Sequence, residues 1–237
     1  MIDKRPFAGL GGADHGWLNA HHHFSFASYY DANKMGWGSI RVWNDDVIQP
    51  QTGFPAHPHD NMEIITYVRK GAITHQDSIG NKGRTEAGDV QVMSAGTGIR
   101  HSEYNLENEA TEIFQIWVLP SERGQPPAWG AKPFPKGDNA GKFVTLASGF
   151  DNDGDVLKIR TPARLLGATL LKDQSESYRP LATDPATERH LYLVVAKGKV
   201  SVNGVELDAR DGAAIKDEAE LTITALDDAE VVLLDAA

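Results

Sequence analysis

The chain has 237 residues, 41% of them hydrophobic, enough to bury the core of one large β domain or two small ones. Its formal net charge of -10 repels phosphate backbones and anionic headgroups, which disfavours direct nucleic-acid and membrane binding. It contains no cysteine, so disulfides and thiolate metal sites are excluded and any metal must be held by nitrogen and oxygen.

The chain opens "MIDKRPFAGLGGADHGWLNAHHH", without the apolar run of a signal peptide, and no later stretch reaches transmembrane length. A cytoplasmic protein is expected. The histidines at 21–23 sit between aromatic residues in "WLNAHHHFSFASYYD" and read as native sequence, able to contribute one pocket residue. Beyond them the chain alternates short apolar runs with glycine and proline. "EIITYV", "DVQVM", "EIFQIWVL", "KFVTLAS", "HLYLVV", "KVSVNGVEL" and "EVVLLD" are rich in β-branched and aromatic residues and predict strands. "IGNKG", "SAGTGI", "VNG" and "ARDG" predict the turns between them. No long stretch carries a 3.6-residue apolar period, and short helices are conceivable only around 121–125 and 183–189.

The fold class is therefore all-β, a sandwich or barrel architecture. The segment 120–142, "PSERGQPPAWGAKPFPKGDNAGK", has five prolines and four glycines and reads as a connection between two β domains, too irregular for a strand. An internal echo supports duplication. "YVRKGAITHQDSIGNKGRTEAGDVQVM" and "VVAKGKVSVNGVELDARDGAAI" both read strand, Lys-Gly turn, strand, turn, strand.

The chemistry-bearing residues lie in the first half. In "GFPAHPHDNMEIITYV", His57 and His59 stand at i and i+2, which on a strand aims both imidazoles at one face. The same parity continued places Asn61, Glu63, Ile65 and Tyr67 on that face, unless a bulge near Pro58 shifts the count. In "AGTGIRHSEYN", His101 and Glu103 repeat the spacing. A predicted hairpin and one strand separate the two pairs. Wrapped into one barrel, they would bring three imidazoles and a carboxylate to one point, a donor set for a divalent first-row ion. Parity alone does not choose between Glu63 and Glu103 as the carboxylate.

Other candidates are weaker. His75 reads as a polar strand residue without a second ligand of matching parity, and His190 stands alone at a strand start. No serine sits in a Gly-x-Ser-x-Gly elbow, and "GGADHG" and "SAGTGIR" lack the context of a phosphate loop. Gly96 and Gly98 serve better as a tight bend before His101.

"HPHDNMEIITYVRKGAITHQDSIGNKG", followed by "GDVQVMSAGTGIRHSEYN", closely resembles the pirin family, most of all its bacterial quercetinase-like members. "GWLNAHHHFSFASYYD" and "RVWNDDVI" share the likeness, which is dense from about 14 to 120 and thinner beyond. The resemblance implies two tandem cupin barrels of the double-stranded β-helix, or jelly-roll, type: residues 1–135 with a metal site and 136–237 without one. Carried over by position, it implies His57, His59, His101 and Glu103 as ligands, and so favours Glu103 over Glu63. Ser94 stands where the general cupin motif has proline, a departure that pirins share. One divalent ion is implied, iron first, with Ni, Co, Mn, Cu or Zn as alternatives.

The implied activity is that of a quercetin 2,3-dioxygenase, with a small aromatic, flavonol-like substrate and dioxygen as partners and Glu103 as catalytic base. The alternative is a regulatory protein that binds a transcription factor or a metabolic enzyme, its metal structural or redox-sensing. A monomer is expected.

Overall fold

In a computed structural model of the protein, residues 1–133, 141–181 and 188–237 are described. With 58% strand and 4% helix, the chain is all-β, organised as two cupin domains. The helical residues among those described form three short 3-10 turns, Phe7–Gly9, Ala32–Lys34 and Asp151–Asp153. No helix of the described residues is long and apolar enough to cross a membrane. Residues 121–125 form no helix. Most of 183–189, and the division expected at 135/136, lie outside the described residues.

The described residues group into two compact units, 11–133 with 155–161 and 1–10 with 141–154 and 162–237. The first unit has two antiparallel sheets. A seven-stranded sheet runs in the order Ala128–Pro133, Asp89–Ser94, Glu63–Lys70, Thr111–Val118, Ile40–Ile48, Leu18–His22, Gly11–Asp14. A four-stranded sheet runs Thr52–His59, Ile99–Asn105, Ala72–Asp77, Lys82–Glu86. Every predicted strand of this half is present; Glu63–Lys70, Asp89–Ser94 and Thr111–Val118 are buried along nearly their whole length, as their near-continuous β-branched and aromatic content suits. Two apolar clusters fill the interior. One holds Leu18, Ile48, Val68, Ile73 and Ile113; the other holds Ile64, Met93, Ala95 and Ile99.

The second unit repeats the plan. Its larger sheet runs Ile2–Arg5, Gly212–Ile215, His190–Lys197, Ala229–Ala236, Arg164–Leu170, Val144–Ser148, and its smaller one Ser175–Tyr178, Leu221–Ala225, Lys199–Val202, Val205–Asp208. Apolar side chains such as Leu166, Leu193, Val200, Ile223 and Leu233 fill it. Asn203 and Gly204, at φ 46° and 88°, make the two-residue turn that "VNG" predicts.

The internal echo is structural. In the first unit the strand before the Lys-Gly turn, Glu63–Lys70, pairs with Asp89–Ser94, while the two strands after the turn pair with each other. His190–Lys197, Gly212–Ile215 and their intervening hairpin repeat this in the second. Gly71 and Gly198 occupy equivalent corners at φ 73° and 78°. A Cβ on Gly198 would lie 2.2 Å from the carbonyl oxygen of Asp228, so only glycine fits there.

Two expectations need correction. The segment 120–142 is not wholly irregular, since Ala128–Pro133 pairs along its length with Asp89–Ser94. Being an edge strand it tolerates its terminal proline, and its identity is set by the neighbouring backbone rather than by its own composition. Nor does the parity of His57 and His59 continue to Glu63. Strand Thr52–His59 ends in one sheet, Asn61 turns the chain at φ 44°, and Glu63–Lys70 begins in the other sheet.

Candidate metal centre

The two histidine pairs come together by strand pairing. Ile99–Asn105 lies antiparallel to Thr52–His59, with His101 opposite His57 and Ile99 opposite His59. The register shifts between His101 and Glu103, so that Glu103 faces Phe54: Thr52–His59 carries one extra residue there, a bulge beside Pro55. His57 and His59 keep one face beyond the bulge, and Glu103 stays two residues from His101 on a strand that pairs regularly with Ala72–Asp77.

The rings of His57, His59 and His101 converge. Their centroids are 4.5 Å apart for His57–His101, 4.8 Å for His57–His59 and 5.0 Å for His59–His101. One ring nitrogen from each lies within 4.8 Å of the others. His57 Nδ1 donates to the carbonyl oxygen of Pro55 at 2.8 Å, since a carbonyl can only accept; its Nε2 therefore presents a lone pair. That lone pair points at His101 Nε2, 3.0 Å away.

Burial pushes His59 down to about 4, helped by His57 and opposed by Asp60. Burial also pushes His101 far down, helped by His57, His59 and His75. Protonation is thus suppressed where imidazoles crowd together. The set fits a borderline first-row cation, which at about 2.1 Å from each nitrogen reaches both rings of the His57–His101 pair.

Glu103 is 1% exposed and belongs to a second group, in which its carboxylate lies within 4.8 Å of ring nitrogens of His75 and His101. The four residues singled out from the sequence do not form one such cluster: three imidazoles make the first, and Glu103 is joined to it through His101. Both Glu103 oxygens accept hydrogen bonds. Gln91 Nε2 donates to Oε1 at 2.7 Å, Thr66 Oγ1 to the same oxygen at 3.2 Å, and Gln115 Nε2 to Oε2 at 2.7 Å.

The glutamine orientations are fixed from behind. Trp117 Nε1, which can only donate, reaches Gln115 Oε1 at 3.3 Å, and Thr85 Oγ1 donates to Gln91 Oε1 at 3.0 Å. Each amide must therefore turn its NH₂ toward the carboxylate. Burial nevertheless raises Glu103 to about 7 against these three donors. Asp46 lies in the same barrel and is raised well above its ordinary value, by burial first and then by Asp45 and Glu103. Glu63 is buried elsewhere, bonded to Ser94 Oγ at 2.6 Å and to the backbone N–H of Arg160 at 3.2 Å.

A pH dependence follows for the metal-free protein. In the unfolded chain Glu103 titrates near 4.5, in the fold near 7. Between those values the folded chain holds a proton that the unfolded chain has released. This stabilising difference is complete below 4.5 and is lost as pH rises through 7. At about pH 8 the ionised carboxylate costs on the order of 3 kcal/mol. Between about pH 5 and about pH 8, metal-free Glu103→Gln is expected to lose less stability than wild type, read by chemical denaturation at both pH values. The histidines are common to both proteins and cancel, so equal losses would contradict this assignment.

A cavity of about 330 Å³ opens onto the cluster, lined by Phe26, Phe54, Pro55, Ala56, His57, His59, Glu103, Gln115 and Trp117. Trp117 stands edge-on to His59 at 5.0 Å and to Phe26 at 5.4 Å. Phe26 is delivered by a tight turn whose ends exchange backbone bonds between Phe26 and Tyr29 at 2.9 and 3.0 Å, with Ala27 at φ 49°. Of the 21–23 run, His22 and His23 are buried, and His22 Nδ1 donates to Asn44 Oδ1 at 2.9 Å.

His75, which the sequence reads as a polar strand residue, is fully buried against His101. The signal was its own i, i+2 partner, Asp77. Gln91 and Gln115 had a fainter one, a lone amide inside an apolar strand.

A family model described as Pirin matches residues 4–118, and one described as Quercetinase C-terminal cupin domain matches 145–236. A pirin-like protein of Caulobacter vibrioides is 69% identical over 237 residues, covering 100% of both chains. A quercetin 2,3-dioxygenase of Escherichia coli K12 is 46% identical over 236 residues, covering 99% of this chain and 98% of the relative. The crystal structure of YhhW from Escherichia coli superposes with a TM-score of 0.92 at 43% identity, covering 100% of this chain and 98% of that one. A second crystal structure, of the bacterial pirin YhhW in complex with nickel(II), gives 0.91 at 43% identity, covering 100% and 99%. Sequence, fold and histidine cluster agree: the chain belongs to the pirin family.

Proposed function

We propose that this protein is a metal-dependent dioxygenase that opens the central ring of flavonols such as quercetin, consuming dioxygen and releasing carbon monoxide, with one divalent ion held by His57, His59 and His101. The observation that carries the reading is the joining of three features: a cavity of flavonol size, aromatic walls, and a floor of imidazoles beside one buried carboxylate. The relatives named as quercetin 2,3-dioxygenases support it.

A bound divalent ion supplies Lewis acidity, which acidifies a phenolic hydroxyl placed against it. The chain does the rest. Phe26, Phe54 and Trp117 hold the flat rings and keep water out of the cavity. Glu103, the carboxylate that lines the cavity beside the imidazoles, accepts the hydroxyl proton. Gln91 and Gln115 keep the carboxylate oriented while it does so. Once a ligand closes the cavity, the electron-rich flavonolate reacts with dioxygen away from bulk water. Glu103 is assigned the role of base, and a bond from it to the ion would have to compete with its amide partners.

The test is anaerobic reconstitution with Fe, Ni, Co, Mn, Cu or Zn, each followed by aerobic addition of quercetin. The expected outcome is bleaching of the flavonol band with matching carbon monoxide release in at least one metal form, faster than in metal-free protein. If no metal form exceeds the metal-free rate, the enzyme reading fails and the regulatory one replaces it.

A further inference from the structure

We propose that His75 and Asp77 are positioning residues of the metal centre, which fix the tautomer and ring angle of His101 so that its Nε2 faces His57 and His59. The inference rests on reading those three histidines as a metal site and is independent of the flavonol chemistry.

The row is built by register. Ala72–Asp77 pairs with Ile99–Asn105 on the edge away from Thr52–His59, placing Asp77 opposite His101 and His75 opposite Glu103. Asp77 is pinned first. Its Oδ1 accepts the backbone N–H groups of Ile79 at 3.1 Å and Asn81 at 2.9 Å, and its Oδ2 accepts Asn81 Nδ2 at 2.9 Å. The same Oδ2 lies 2.9 Å from His75 Nε2, and both side chains are 0% exposed.

A carboxylate only accepts, so His75 carries its proton on Nε2 and leaves Nδ1 bare. Nδ1 of His75 is 3.5 Å from Nδ1 of His101. That contact is attractive only if His101 donates, which puts the His101 proton on Nδ1 and the lone pair on Nε2. Nε2 is the atom 3.0 Å from the lone pair of His57. Two facing lone pairs repel unless a cation lies between them, so the relay from Asp77 prepares His101 as a ligand.

Packing locks the relay. The His75 ring stacks on Trp129 at 5.0 Å with an 11° tilt. Trp129 in turn lies where a Cβ on Gly83 would come within 2.2 Å of its ring, so that strand needs glycine there. Outer partners of this kind orient metal-binding histidines, and their loss typically costs about 10–100-fold in metal affinity.

The experiment measures nickel(II) affinity by competition with a chromophoric chelator, for wild type, Asp77→Asn and His75→Phe. Asp77→Asn can present an N–H to His75 and invert the tautomers along the row, while His75→Phe keeps the stack on Trp129 but removes the relay. Each is expected to bind nickel about 10–100-fold more weakly than wild type, with one ion still bound at saturation. Wild-type affinity in both folded variants would overturn the proposal and show the pair to be structural. In case a variant does not fold, nitrogen-15 histidine spectra of zinc-loaded wild type, in which a cation separates the facing lone pairs, give a second readout. His75 protonated on Nε2, with a His101 Nδ1 proton hydrogen-bonded to it, is expected, and His75 protonated on Nδ1 would overturn the assignment. Absence of nickel binding by wild type would instead overturn the metal centre itself.

Discussion

Glu103→Gln is expected to lower flavonol turnover by roughly 10²–10⁴-fold, the usual contribution of a positioned general base, while the protein still takes up its metal. The physical basis is the contrast between two sets of groups. The three imidazoles converge without help from Glu103, so the ion remains held. The carboxylate is buried, oriented by Gln91, Thr66 and Gln115, and lines the cavity beside the imidazoles, where it can take a proton from a bound hydroxyl. Glutamine keeps the shape and removes the basicity. It also sets a third amide against two NH₂ groups that Trp117 and Thr85 hold pointing inward, so at least one donor loses its acceptor. Steady-state bleaching with metal content measured on the same samples checks the outcome. Loss of both rate and metal would make Glu103 a ligand first. An unchanged rate would remove it from the chemistry.

His57→Ala and His101→Ala are each expected to cost more metal affinity than the roughly 10–100-fold that follows loss of an outer partner, since each deletes a donor. His101→Ala should be the worse of the two. It removes the ring that links the first cluster to Glu103 and His75, and it leaves the buried Nδ1 of His75 without its neighbour. His57 is more exposed and its backbone partner, the carbonyl of Pro55, can turn to water. Chelator competition on metal-free protein, with thermal midpoints recorded alongside, separates loss of the donor from loss of the fold.

Much of this was legible in the sequence because strands write their faces at every second residue. "EIITYV", "DVQVM" and "EIFQIWVL" read as strands from their β-branched and aromatic content between turn residues, and the Lys-Gly corners at 71 and 198 supported a repeated barrel. His57 with His59, and His101 with Glu103, showed themselves by the same spacing. What parity could not carry was anything across a chain reversal or a bulge. The left-handed turn at Asn61 broke the face on which Glu63 had been counted. The bulge beside Pro55 put Glu103 opposite Phe54 rather than Pro55. Strand Ala128–Pro133 was hidden because its pairing is dictated by Asp89–Ser94 rather than by its own glycine and prolines. His75 shows no ligand partner in the sequence, because only the strand register brings its neighbour Asp77 opposite His101.

The most direct test of the metal centre is metal content per chain after anaerobic purification, measured for wild type and for the His57→Ala, His101→Ala double variant. One divalent first-row ion per wild-type chain, and none in the folded double variant, is the expected result. Equal metal in both, or a wild type that takes up no ion when one is supplied, would contradict convergence of these imidazoles on a cation.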